Sequence, residues 1–377
     1  SLTLTEESKE DINMATSANL YAVDLDGITQ AILAGGHKRT VLVQGHMGTG
    51  KSSLLKMLAA ELPNHIPCYF DCTTKDLGDI TIPDITHMDN GSGFVRYLTN
   101  EELGAHHDKR TVVMIDEFGK ANPAVKLALL RLMLEHKIGS YTLHPDSIVF
   151  ATTNLGSEGV GDLLPAHACN RLTVIESAKP TWEGWIEWAI NNDVDPTVMG
   201  WCRNNDKAFA DFRDVSDPEE NDYIYHPRST RTAFVTPRSL EAASDWMKQR
   251  DKFDSKTLTS LLIGTIGGSA AGDMVAFARL ADQLPSIESI KADPHGALVP
   301  TTAGAIMMVV YKVLSTLEQS WVDQWMDYML RLPQEAQGVF ANGVRSKKYT
   351  KRSLVMTNAK FTKWAMDNNY LFTADIK

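Results

Sequence analysis

The stretch Gly45-His46-Met47-Gly48-Thr49-Gly50-Lys51-Ser52 fits G-x-x-x-x-G-K-[ST] at every fixed position. Residues of these types at this spacing bind phosphate. Successive backbone N–H groups turn inward around the phosphate oxygens, and the N-terminus of the following helix adds positive potential. Lys51 is placed to reach the β- and γ-phosphates, Ser52 to ligate Mg²⁺, and Ser53 completes the expected nucleotide-binding set. A second constellation follows, in which Asp116 and Glu117 end the apolar run Val112 to Ile115. Acids at the carboxyl edge of a parallel strand lie where such sheets place their ligands. Asp116 would hold Mg²⁺, mostly through water, and Glu117 would orient and polarise an attacking water.

Three further positions could complete a hydrolytic site. Asn154 ends Ala151-Thr152-Thr153-Asn154 with an amide able to hydrogen-bond a γ-phosphate or its water, or else serves only as a turn residue. Arg171 precedes Leu172-Thr-Val-Ile-Glu176, where a guanidinium could reach phosphate in a neighbouring subunit or simply meet solvent. Arg238 follows Thr236-Pro237 in the first turn of an expected helix. A cation there opposes the helix dipole, and a bound anion would offset that cost, so Arg238 is a candidate phosphate ligand.

The elements that must position these residues alternate. Arg39 to His46 reads as a buried strand ending in glycine, and Lys51 to Leu62 has Leu54, Leu55, Leu58 and Ala59 at helical spacing. Thr111 to Asp116 and Ser147 to Thr152 are further buried-strand runs, with a helix from Pro123 to Lys137 between them. Asn122 is its expected N-cap, Pro123 its first position and Gly139 its expected C-terminal cap. This is the pattern of an α/β fold with a parallel sheet. After Pro180 the pattern turns helical, with Trp182, Trp185, Ile186, Ala189 and Ile190 on one face. Asp211 to Arg231 reads as a surface loop, and Leu284 to Thr302, with Pro285, Pro294 and Pro300, as a linker before a last helical segment. The expected domains are an N-terminal segment 1–38, an α/β nucleotide-binding domain 39–178, a helical lid 179–285 and a C-terminal helical region 286–377.

With 377 residues, 43% of them hydrophobic, the chain has material for two or three cores. Its 47 acidic against 37 basic residues give a net charge of -10, which disfavours wrapping of nucleic acid through the overall field. Arg345, Lys347, Lys348, Lys351 and Arg352 leave room for a local basic surface, though a solvated face is the plainer reading. Four cysteines without a C-x-x-C pair suggest neither zinc nor a disulfide framework, and His106-His107 has no companion ligands at metal spacing. Glu6, Glu7, Lys9, Glu10 and Asp11 precede any apolar stretch, the reverse of a secretory signal. The apolar run Ala303 to Tyr311 falls short of the ~20 residues of a membrane helix. The expectation is a cytoplasmic protein with no membrane partner.

Taken in order, GHMGTGKS, VVMIDEFGKANPAVKLALLRLMLEHKIGSYTL, FATTN, LLPAHACNRL and TPRSLEAA resemble the motifs of an AAA+ ATPase, and more narrowly those of the MoxR-type branch with its dynein-related and chelatase-like modules. The resemblance runs from Tyr21 to Met247. It implies an AAA+ P-loop domain followed by a helical lid and a Mg²⁺-dependent ATPase working as a homo-oligomer, usually a hexameric ring, that remodels or activates a protein partner. By the same resemblance Lys51 and Ser52 are the Walker A pair, Asp116 and Glu117 Walker B, Asn154 the first sensor, Arg171 the finger acting in trans and Arg238 the second sensor. Asn170 and Leu172 depart from the acid and aromatic that usually flank the finger. Trp182 to Ala189 and Tyr328 to Glu335 also look like MoxR-type proteins paired with a von Willebrand A partner. In such rings inserted loops grip the client; Asp76 to Tyr97 and the turn Gly139-Ser140-Tyr141 are the candidates here. Two other functions stay open: a nucleic-acid-stimulated motor or clamp-loader-like ATPase, and an ATP-gated assembly scaffold with little turnover.

Overall fold

Strands rich in β-branched and aromatic residues alternate with helices through the first half of the computed structural model, which describes residues 22–155, 168 and 170–370. After α1 (Leu25–Gly35) come β1 (Val41–Gly45), α2 (Leu54–Glu61), β2 (Ile66–Asp71) and the hairpin strands β3 (Thr81–His87) and β4 (Gly93–Thr99). Then follow β5 (Thr111–Asp116), α3 (Pro123–Glu135), the short pair β6 (Lys137–Ile138) and β7 (Tyr141–Thr142), β8 (Ile148–Asn154) and β9 (Thr173–Glu176). Five of these strands form one parallel sheet in the order β2-β5-β8-β1-β9. Because every strand runs the same way, Gly45, Asp71, Asp116 and Asn154 all reach one edge.

The strand period of two divides each buried run between two cores. Val112, Met114, Ile148 and Phe150 join Ile28 and Ile32 of α1 and Leu54 and Leu58 of α2 on one face. Val113, Ile115, Val149 and Ala151 join Val125, Leu129 and Met133 of α3 on the other. Each fully buried side chain of this size contributes about 1.5–3 kcal/mol, so the sheet is held from both sides. By the same alternation Tyr69, Asp116, Thr152 and Asn154 take the face that carries α1 and α2.

Helix α3 begins as expected, with Asn122 accepting from the Val125 N–H at 2.9 Å and Pro123 in the first turn. It ends earlier than the glycine suggested. His136 is the C-cap, in the left-handed region at φ 54°, and its N–H reaches Leu132 O at 2.9 Å. Gly139, also at φ 54°, belongs instead to the turn between β6 and β7, which closes only with a residue tolerant of positive φ.

The chain divides into two compact units, with the boundary between Lys179 and Pro180. The described part of the second is helical: α4 (Trp182–Ile190), α5 (Pro196–Asn204), α6 (Pro237–Lys248), α7 (Ser255–Ile266), α8 (Gly268–Ala278), α9 (Ile287–Ala292), α10 (Ala303–Thr316), α11 (Val322–Met329), α12 (Gln334–Arg345), α13 (Arg352–Met356) and α14 (Ala359–Asp367). One core runs from Trp185 to Trp364. Its centre is α10, buried without a break from Gly304 to Tyr311, which accounts for the longest apolar run in the sequence. Residues 211–231 are not the surface loop expected from their composition. Phe212, Tyr223, Ile224 and His226 are buried, and the Arg231 guanidinium donates to the carbonyls of Pro218, Asn221 and Ile224, so the segment is pinned by side chains rather than by periodic structure. The expected linker 284–302 likewise contains α9, anchored by buried Ile290. No helix among the described residues is long and apolar enough to cross a membrane.

Candidate active site

The loop from Gly45 to Lys51 turns back on itself through two left-handed glycines, Gly48 at φ 69° and Gly50 at φ 92°. Thr49 Oγ1 donates to His46 O at 2.9 Å and braces the turn. A 3-10 turn, Lys51–Ser53, then leads into α2, with Ser53 N–H on Gly50 O at 2.8 Å. Lys51 is buried, and its ammonium donates to Gly45 O at 3.0 Å, His46 O at 2.6 Å and Asn154 Oδ1 at 3.2 Å. Ser52 and Ser53 stand exposed at the start of the helix. The Asn154 contact follows from the sheet, since Gly45 and Asn154 are register partners in β1 and β8.

Asp116 is the last residue of β5 and faces Asp71 of β2 in register. Its carboxylate is held at both oxygens. Oδ1 accepts from the Thr152 hydroxyl and from Glu117 N–H at 3.1 Å, and Oδ2 accepts from Tyr69 Oη–H at 2.8 Å. Glu117 sits in the left-handed region at φ 54° and ψ 38°, a conformation costing a non-glycine residue roughly 1–2 kcal/mol. Its N–H, bound to Asp116 Oδ1 and facing Thr152 Oγ1 at 3.4 Å, helps hold that turn. The Glu117 carboxylate meets Asn154 Nδ2 at 3.3 Å and Lys120 Nζ at 3.0 Å, both on Oε2. The amide of Asn154 therefore links the Lys51 ammonium to the Glu117 carboxylate.

Negative charge at this edge is felt by its neighbours. Cys72, 2% exposed, has its thiol pushed up to about 12, first by burial and then by the charges of Asp71, Asp116 and Glu117, with Lys126 opposing. Burial and the bond to Asp116 likewise push the Tyr69 phenol upward. Thr152, Tyr69 and Lys120 were not singled out in the sequence. Thr152 lay within the FATTN run, but its hydroxyl bond to Asp116 depends on β5–β8 register, which no local pattern carries.

Lys51, Asp116, Glu117 and Asn154 are thus brought together. Arg171 is not among them: it is exposed just before β9, whose first residue, Thr173, pairs with Val41 at the start of β1. That is the edge opposite Gly45 and Asn154. Arg238 belongs to the second unit, exposed in the first turn of α6, whose N-cap Thr236 accepts from Ser239 N–H at 3.1 Å. Residues 163–167 and Cys169 of the LLPAHACNRL motif lie outside the described residues.

The residues fit a phosphate chain and a divalent cation, with a rolled glycine loop, a buried ammonium and an exposed serine at the head of α2, and a half-buried carboxylate held at both oxygens at the end of β5. Residues 41–176 match the ATPase family associated with various cellular activities (AAA). The chain carries an AAA ATPase domain. That match runs from the first residue of β1 to the last of β9, so the AAA domain takes in all five strands of the parallel sheet. Among solved structures, a mutant of Thermotoga maritima RuvB is 16% identical over 71% of this chain and 70% of its own, with a TM-score of 0.34. A closed-state reconstruction of Hsp104 with ATPγS and FITC casein is 18% identical over 51% of this chain and 40% of its own, with a TM-score of 0.33. No curated protein matches the chain. Likenesses this remote leave the chemistry of the AAA domain here to its own residues.

Proposed function

We propose that the chain hydrolyses Mg²⁺-ATP as a homo-oligomeric, hexameric AAA+ ring of the MoxR-type branch, and that the cycle remodels or activates a protein client such as a von Willebrand A domain protein in the cytoplasm. The observation that carries this reading is the Asn154 amide, bonded to Lys51 on one side and Glu117 on the other. The residue that senses phosphate and the residue that activates water are then one hydrogen bond apart. Bound at Ser52 and Asp116, Mg²⁺ would screen the charge on the β- and γ-phosphates. Lys51 would bind the same oxygens, exchanging loop carbonyls for phosphate. Glu117 Oε2 is already held by Asn154 and Lys120, which leaves Oε1 to orient a water and take its proton.

Arg171 lies exposed on the far edge of the sheet, a position suited to serving a neighbouring subunit's nucleotide rather than its own. Arg238, exposed in the first turn of α6, stays a candidate phosphate ligand. A protein client is favoured by the β3–β4 hairpin, where Ile82, Ile85, Phe94, Val95, Tyr97 and Leu98 are all exposed, and by the net charge of -10. The hairpin and the β6–β7 turn are joined, with Ser140 N–H on Tyr97 O at 3.2 Å and Tyr97 N–H on Ser140 Oγ at 3.0 Å, so both would act as one gripping element. Cys68, Cys72 and Cys202 are free thiols, which suits a reducing compartment.

ATP turnover per subunit, measured over a wide range of protein concentration with Mg²⁺ present, tests the reading. A rate that climbs steeply and then levels supports a site completed between subunits. ATP binding with negligible turnover at every concentration would favour the gated scaffold. Strong stimulation by DNA or RNA with steep salt dependence would favour the nucleic-acid motor.

A further inference from the structure

Tyr69 has no place in the motifs of the site, yet its hydroxyl lies 2.8 Å from Asp116 Oδ2. The contact is built by the sheet. Asp71 is the register partner of Asp116, so Tyr69, two residues earlier on β2, is its diagonal neighbour on the same face, within reach of a long side chain. Tyr69 is 46% exposed, more than core packing alone would leave a tyrosine. The other donors to Asp116, the Thr152 hydroxyl and Glu117 N–H, both fall on Oδ1. A carboxylate offers about four acceptor directions, and three are filled here. With donors on both oxygens its plane is fixed, and so is the remaining direction.

We infer that Tyr69 is a positioning residue for the divalent cation: its hydroxyl locks the Asp116 carboxylate in the orientation that receives a Mg²⁺-bound water. The inference rests on the reading of Asp116 as the magnesium residue. Tyr69 touches neither nucleotide nor metal and acts through Asp116. Partners that orient a metal-binding group commonly change metal affinity by about 10–100-fold when removed.

The test is Tyr69→Phe in the full chain, which keeps the ring and deletes only the hydroxyl. Binding of a fluorescent ATP analogue is titrated with Mg²⁺ and again with Mg²⁺ chelated, and Asp116→Asn is carried as a reference. The expected result is a Mg²⁺ midpoint raised roughly tenfold, with unchanged affinity in chelator. Turnover should be lowered at limiting Mg²⁺ and recovered at saturation. An unmoved midpoint in Tyr69→Phe beside a shifted one in Asp116→Asn overturns the role of Tyr69 alone. An unmoved midpoint in Asp116→Asn overturns the reading of Asp116 and the inference with it. Equal loss of analogue affinity with and without Mg²⁺ would assign the hydroxyl to the fold of the pocket and overturn its role toward the cation.

Discussion

The side-chain amide of Asn154 donates to Glu117 Oε2 across 3.3 Å while its oxygen accepts the Lys51 ammonium at 3.2 Å. Any rearrangement of Lys51 toward phosphate must therefore be felt at Glu117. Asn154→Ala removes this link and is expected to lower kcat by roughly 10²-fold, with nucleotide affinity changed only a few-fold. Steady-state turnover and equilibrium binding of an ATP analogue separate the two. Unchanged kcat would reduce the amide to a brace of the loop.

Glu117→Gln keeps the shape of the side chain and removes its capacity to take a proton. ATP binding should persist while turnover stops. Undiminished hydrolysis by this variant would take Glu117 out of its assigned role.

Arg171, exposed on the edge away from the loop, should matter only to a neighbour. Arg171→Ala is expected to lose roughly 10³-fold in turnover as a pure population. Mixing it with Lys51→Ala should restore part of the activity, because Lys51→Ala subunits can lend their arginine to sites with an intact loop. A mixture no more active than its parts would argue against a shared site.

The Thr152 hydroxyl donates to Asp116 and lies 3.4 Å from Glu117 N–H. Thr152→Val preserves the side-chain volume at a position 1% exposed. Stability should fall by about 1 kcal/mol by urea unfolding. Turnover should fall by more than about tenfold, since both acids lose their common partner. An activity loss no greater than the unfolded fraction explains would place Thr152 in the fold alone.

Cys72 makes stability depend on pH in the alkaline range. Its thiol ionises near 9.0 when free and is pushed up to about 12 in the folded chain, so the unfolded chain gives up its proton first. Stability from this group is whole below the ordinary thiol range and declines as pH rises toward the folded value. The urea midpoint should drop as pH rises from about 9 toward about 12, and Cys72→Ala should make that drop smaller. An identical drop in both proteins would assign the effect to other groups.

Much of the site was legible because it depends on local backbone chemistry. Two glycines at positive φ, a lysine and a serine all fall between Gly48 and Ser52, and Asp116-Glu117 ends a buried run. The same locality explains Thr236 and Pro237 at the start of α6, where a cap and a preset φ act within one turn. What escaped notice depends on pairing across the sheet or on partial exposure. β2 lies at the sheet edge, carries Pro67, and leaves Ile66 and Tyr69 exposed, so neither an apolar run nor an alternation announces it. β3 and β4 place large apolar residues on both faces, as Ile82 and Ile85 show, so the period of two is hidden. His136 ends α3 in a conformation that glycine usually takes, and Tyr223 and Ile224 bury a stretch whose composition is that of a loop.

The pairing of Gly45 with Asn154 has a consequence for the history of such a protein. A single residue inserted into β8 ahead of Asn154 would still leave an apolar strand between β5 and β1, but Thr153 and Asn154 would exchange faces. The descendant would keep its sheet and its nucleotide loop while losing the connection to Glu117. One inserted codon would thus do through the sheet register what a substitution at Glu117 does through the side chain.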